Sequence, residues 1–239
     1  FHDEKGFIHL DAWTGFSVDR YLDGGVMVPY IGSHDTSRVL SMADYRGQPD
    51  HGRNIVFNKW PDEGLPQQPD EDEPYSRVRT AFCWLFTSPG APLLYMGDEY
   101  GEFGGADPDN RHPHRSEEAL SDREVNLLNE VRALGRARKR LAPLRRGDYR
   151  SLVSEEYMAA YARQTPEGEL AVVFVNGSST PQAISREVGP PCTGDCWAEV
   201  TGLGATAVGA GNFIDATIPA RSCGVFVPTT GGDEANLPN

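Results

Sequence analysis

The stretch PYIGSHDTSR, Pro29 to Arg38, places His34 and Asp35 side by side directly after the apolar run Val26–Ile31, with Arg38 three residues further on. Such a pair is either a surface turn or a set of polar groups that a buried strand delivers to a site. A second short apolar run, PLLYMG, leads straight into Asp98 and Glu99. Neighbouring strand residues point to opposite faces, so at most one of these two carboxylates can face a cleft, and a structural role is expected for them. Asp107 and Arg111 stand four apart in the glycine-rich loop that follows, where they can pair with each other. Arg38 is expected to anchor its loop through a salt bridge. His112 and His114, kept apart by Pro113, are expected to face solvent, with no carboxylate spacing that suggests a metal.

The elements that must position these groups can be read from periodicity. Val26–Ile31 reads as a buried strand. From Tyr75 onward, Val78, Ala81, Phe82, Leu85 and Phe86 recur at the three-and-four spacing of one helix face, and TSPG at Thr87–Gly90 stops the helix. PLLYMG, bounded by Pro92 and Gly97, has the profile of a strand buried on both sides. Beyond the polar loop, Ser121 can cap a helix that carries Leu127, Val131, Leu134 and Leu141 along one side and ends in a basic turn. Strand, helix, strand, loop and helix in that order imply a parallel unit, and parallel α/β folds build their sites at strand carboxyl ends. His34, Asp35, Asp98 and Glu99 all lie at such ends.

The chain has 239 residues, of which 38% are hydrophobic, enough for one large domain or two smaller ones. Its 22 basic and 35 acidic residues give a net charge of −13, which repels phosphates and anionic lipid and argues against nucleic acid and membrane partners. No run approaches the roughly 20 apolar residues of a membrane span, and the first residues lack a signal-peptide pattern. The sequence opens without methionine and in mid-pattern, so Phe1 reads as a fragment boundary. Among four cysteines only Cys192 and Cys196 are close, in CTGDC, where Gly194 and Asp195 favour a turn closed by a disulfide. That leans towards an oxidising compartment, secreted or periplasmic. Cys83 and Cys223 stand alone, without the paired spacing of a zinc site, and no metal is expected.

The composition shifts near Gly147. The segment WPDEGLPQQPDEDEP, Trp60–Pro74, is an irregular solvated loop, whereas from Tyr149 short β-rich runs alternate with Gly and Pro: YRSLVS, YMAAYARQ, ELAVVFVNGS, PQAISREV, CWAEVT, NFIDATIP and CGVFVP. These form an antiparallel sandwich over 147–228, followed by a loose tail at 229–239. Two strand and helix units before that point cannot close a parallel sheet, since a barrel needs roughly 250 residues. Residues 1–146 therefore read as the end of a larger domain.

Two motifs carry a family likeness. VMVPYIGSHDTSR resembles the fourth conserved stretch of the α-amylase family of glycoside hydrolases, and TSPGAPLLYMGDEYGEFGGADPDNR resembles the segment around that family's eighth barrel strand. The likeness is strong over Val26–Arg111, extends to Leu144 and continues more loosely into the β-domain. It implies the C-terminal portion of a (β/α)8 TIM barrel, its last two strand and helix units, followed by a small antiparallel β-sandwich.

The resemblance implies retaining cleavage, or transfer, of α-glucosidic bonds in starch-like or malto-oligosaccharide substrates. Asp35 would stabilise the transition state, His34 would bind a hydroxyl of the cleaved residue, and Asp107 and Arg111 would bind glucose units further away on the non-reducing side. This suits the chemistry, because hydrogen bonds to the 2-hydroxyl strengthen as an oxocarbenium-like centre forms. Ser33 departs from the asparagine usual beside the histidine. Tyr100 and Phe103 sit where ring faces could meet pyranose faces, although aromatic residues near a strand end more often pack.

The nucleophilic aspartate and acid glutamate of the family come from earlier strands, so this chain alone is expected to be inactive and to rely on upstream strands or a second chain to complete the barrel. No cofactor is evident; calcium belongs to the family's complete enzymes and finds no support in these residues. A non-catalytic carbohydrate-binding or structural module, or a transglycosylase on the same scaffold, is the alternative.

Overall fold

A computed structural model of the chain describes residues 6–21, 24–44 and 64–229. Phe1, residues 45–63 including the first four of the expected loop at Trp60–Pro74, and the expected tail from residue 230 lie outside them. Among the described residues the chain divides into two compact units.

The first unit comprises the described residues of Val28–Leu85 and Pro92–Arg132. It contains helix α2 (Val39–Ala43), most of α3 (Asp72–Thr87) and the start of α4 (Asp122–Arg140). The α3 stripe is as expected, with Val78, Phe82 and Leu85 fully buried, and Asp72 and Glu73 in its first turn suit the helix dipole. On α4, Leu127, Val131 and Leu134 are buried. Ser121 and Glu124 form a reciprocal cap at its start: Ser121 N–H donates to Glu124 Oε2 at 2.7 Å, and Glu124 N–H to Ser121 Oγ at 3.5 Å.

The two runs expected as buried strands are corrected. They are extended, yet only Tyr30 and Leu93 form a β-bridge, which is parallel, with Leu93 N–H donating to Pro29 O at 2.9 Å. Val26, Val28, Tyr30, Leu93 and Met96 are all about half exposed or more. Parallel strands lose both faces to the interior only when helices and neighbouring strands cover them, and a pair joined by one bridge has no such cover among the described residues.

The second unit takes the described residues of Glu4–Met27, Phe86–Ala91 and Ala133–Asn239. Helix α1 (Gly6–Tyr21) was not foreseen from periodicity: its apolar residues point all around the axis, and Thr14 alone is buried. It is held by Phe7 N–H to Glu156 O at 2.9 Å and by Ser151 Oγ to Asp11 Oδ2 at 2.9 Å. After the short α5 (Ala142–Arg146) come seven strands: β1 (Arg150–Ser154), β2 (Met158–Gln164), β3 (Leu170–Asn176), β4 (Gln182–Gly194), β5 (Trp197–Glu199), β6 (Thr206–Ile218) and β7 (Ser222–Pro228).

One sheet runs β1-β2-β3-β7-β5 and the other pairs β4 with β6, all antiparallel, so the expected sandwich is present. Val172, Phe174 and Phe226 from the first sheet and Ile214, Ala216 and Ile218 from the second share one core, as period-2 alternation on facing sheets demands. Arg163, 1% exposed, donates to the carbonyls of Asp148, Thr87, Leu144 and Gly147, and burial lowers its pKa to about 10. Cys83, Cys196 and Cys223 are disulfide-bonded, and no described cysteine is free. Cys83 and Cys223, which stand alone in the sequence, thus each have a disulfide partner, because spacing along the chain does not reveal a partner that the fold supplies. The side chain of Cys192 lies outside the description.

Candidate functional site

The extended run ends at Gly32, and the chain turns over Ser33–Thr36. Thr36 N–H donates to Ser33 O at 3.4 Å, and Asp35 N–H donates to Ser33 Oγ at 3.2 Å. The serine hydroxyl therefore supports the turn itself, a local bond that Ser makes readily. His34 Nε2 lies 3.2 Å from Asp35 Oδ1, and both side chains are open to solvent, 62% and 75% exposed. They are free to meet a ligand.

Beneath them the chemistry is the opposite. Arg38 is 1% exposed and uses Nε and Nη1 on the fold: Nε donates to Asn110 O at 2.7 Å, and Nη1 to Met96 O at 2.6 Å and Asp98 Oδ1 at 3.1 Å. Its guanidinium sits 4.1 Å from the centroid of the Tyr95 ring. Arg38 anchors the loop as expected, and its partner is Asp98. Burial pushes the Asp98 carboxyl up to about 7, Arg38 offsetting part of that shift. A Cβ on Gly32 would stand 2.2 Å from Asp98 Oδ2, so any other residue there would have to displace the Asp98 carboxylate.

Asp98–Tyr100 form a 3₁₀ turn after Gly97, which has φ 92°. Glu99 accepts Gly97 N–H at 2.7 Å and faces His114 Nε2 at 3.3 Å. Asp98 and Glu99 both serve the architecture.

The loop from Gly101 to Arg115 is braced by a buried polar network that sequence reading missed. Glu102, 1% exposed, accepts from Arg115 Nε at 2.9 Å and from Tyr100 Oη at 3.2 Å, while Arg115 also reaches Glu124. Burial works to lower the Arg115 pKa, but the two carboxylates around the guanidinium, Glu124 and Glu102, together outweigh it and hold the pKa above its usual value. His112, 30% exposed, lies between Glu102 (3.3 Å) and Asp109 (3.4 Å) and does not simply face solvent, whereas His114, 54% exposed, faces solvent as expected while also meeting Glu99. Tyr100 is 1% exposed and packs, so it offers no sugar platform.

Asp107 and Arg111 pair with each other, Oδ1 to Nε, at 2.5 Å, and remain partly exposed. Arg111 Nη2 also reaches His34 O at 3.4 Å. Asn110 ties the same places together, its Nδ2 donating to His34 O at 2.9 Å and Thr36 O at 2.7 Å. The four candidate residues His34, Asp35, Asp107 and Arg111 are thus gathered on one patch, although more than 70 positions separate the two motifs. Asn110, which holds that patch together with Ser33, was not singled out, since an asparagine in a polar loop carries no signal of which carbonyls it will meet. Among the described residues no group of three or more His, Cys, Asp or Glu side chains could hold a metal ion.

No protein-family model matches the chain. It is similar to neopullulanase 2 of Thermoactinomyces vulgaris, 34% identical over 123 residues that cover 51% of this chain and 20% of that protein. It is similar to the α-amylase MalA of Haloarcula japonica, 33% identical over 223 residues covering 92% of this chain and 30% of that protein. Among solved structures, the Anoxybacillus α-amylase superposes with a TM-score of 0.70 at 23% identity over 93% of this chain and 42% of that one. The chain therefore spans less than half the length of these relatives. The structural likeness shows the fold: the C-terminal portion of a (β/α)8 barrel followed by an antiparallel β-sandwich, as expected from the sequence.

Proposed function

We propose, for a chain that matches the C-terminal part of α-amylase-family glycoside hydrolases, that it supplies the transition-state-stabilising end of an active site for retaining cleavage of α-glucosidic bonds in starch-like glucans or malto-oligosaccharides. The observation that carries this is the gathering of the exposed His34–Asp35 pair with Asp107 and Arg111 on one braced patch. Asp35 grips hydroxyls of the distorted sugar and steadies the positive charge that develops at the ring, and His34 binds a hydroxyl of the same residue. Asp107 and Arg111 hold a glucose unit away from the bond that breaks.

A retaining glycosidase needs a nucleophile and an acid about 5–5.5 Å apart. Asp98, Glu99 and Glu102 are committed to Arg38, Gly97 and Arg115, so these two groups come from outside the chain, from upstream strands or a second chain. We divide the chain accordingly into barrel residues 1–146, sandwich 147–228 and tail 229–239, and place the protein outside the cytoplasm, in keeping with its disulfide-bonded cysteines.

The test incubates the full-length protein with maltoheptaose and amylose and follows reducing ends together with the anomer first released, by NMR. Release of the α-anomer supports the proposal. Sugar binding in calorimetry with no turnover overturns it in favour of a carbohydrate-binding module, and longer oligosaccharides among the products assign it to transfer.

A further inference from the structure

We infer that Asn110 is a positioning residue for Asp35, an inference that rests on the transition-state role proposed above for that carboxylate. Among the described residues Asp35 has one side-chain partner, the exposed His34, and its own side chain is 75% exposed. Nothing rigid grips the carboxylate, so its direction is set by the backbone that carries it.

That backbone is fixed from below. Asn110 is fully buried, and its amide nitrogen donates to the carbonyls on both sides of Asp35, His34 O at 2.9 Å and Thr36 O at 2.7 Å. Both partners are acceptors only, so the orientation of the amide follows from chemistry. Among the described residues its Oδ1 is buried without a partner, a costly arrangement that is tolerated while the two donated bonds are kept. The Asn110 carbonyl in turn accepts from Arg38 Nε at 2.7 Å, and Arg38 N–H donates to Gly104 O at 3.0 Å. The Asp35 turn and the loop bearing Asp107 and Arg111 are therefore stitched into one body through a side chain that touches no substrate.

A positioning role predicts a loss in turnover rather than in binding. Misplacing a reacting group by about 1 Å can cost on the order of 100-fold, so Asn110→Ala in the full-length protein should lower kcat for maltoheptaose by roughly 10- to 100-fold while KM stays within about twofold. The decisive readout is a double-mutant cycle. If Asn110 acts through Asp35, then in an Asp35→Asn background the same change costs less than about threefold. An equal loss in both backgrounds, or full activity of Asn110→Ala, overturns the inference while leaving the proposed function standing. Wild-type activity of Asp35→Asn instead removes the role of Asp35 and this inference with it. Should Asn110→Ala fail to fold, Asn110→Ser, which retains a donor, is taken through the same cycle.

Discussion

Arg38 and Asp98 form an ion pair in which each side chain is 1% exposed, with 3.1 Å between Nη1 and Oδ1, directly under the turn that carries His34 and Asp35. A buried pair contributes little net stability while both partners are present, but breaking it leaves one charge stranded. Arg38→Met should therefore lower the unfolding free energy by about 3–5 kcal/mol, measured by urea titration at pH 8. A loss below about 1 kcal/mol would mean that the pair is not closed as described.

The pH dependence follows from Asp98. Its folded pKa of about 7 stands above the ordinary 3.8, so the folded state binds the proton more tightly than the unfolded one. The stabilisation is present in full below about pH 3.8 and is lost as pH rises through about 7. Asp98→Asn should flatten this slope, so that the wild type loses stability relative to the variant between pH 4 and pH 7.5. Parallel urea midpoints for the two proteins across that range would contradict the assignment.

Asp107 and Arg111 are placed to meet a sugar remote from the bond that breaks. Arg111→Ala should reduce kcat/KM for maltoheptaose by about tenfold more than for maltotriose, because a remote contact matters only when a sugar reaches it. Equal losses on both substrates would leave the 2.5 Å pair as a brace for the loop.

In the sandwich, Asn176 is fully buried and donates to Thr180 O, Ile218 O and Pro219 O, at 2.8, 3.3 and 3.0 Å. It fastens the end of β3 to the turn that leaves β6. Asn176→Ala should cost about 1–3 kcal/mol, since the carbonyls it serves lose their donors. Circular dichroism melting of the variant checks this, and an unchanged midpoint would show that water replaces the amide.

What could be read from the chain tracks how local each cause is. Helices α3 and α4 were legible because their apolar stripes and the Ser121 cap are written within one or two turns. The sandwich was legible because alternation and turn residues recur strand by strand. Helix α1 was not, since its apolar residues follow no single face. The strand reading of Val26–Ile31 and Pro92–Met96 failed on burial, because apolar composition records where a segment can be covered and not what covers it. His34, Asp35, Asp107 and Arg111 were singled out through their motifs, and the fold brings them together on one patch. Asn110, Glu102 and Glu124 were not, because their partners lie far along the chain or depend on how the loop folds back.

The central claim is that Asp35 acts on the transition state of α-glucosidic cleavage. The most direct measurement is kcat of full-length wild-type and Asp35→Asn protein on maltoheptaose, with melting profiles recorded alongside. Removing a charge felt mainly in the transition state should lower kcat by roughly 100- to 1,000-fold with KM little changed and the melting profile intact. Turnover within about threefold of wild type, at an unchanged melting temperature, would contradict the account.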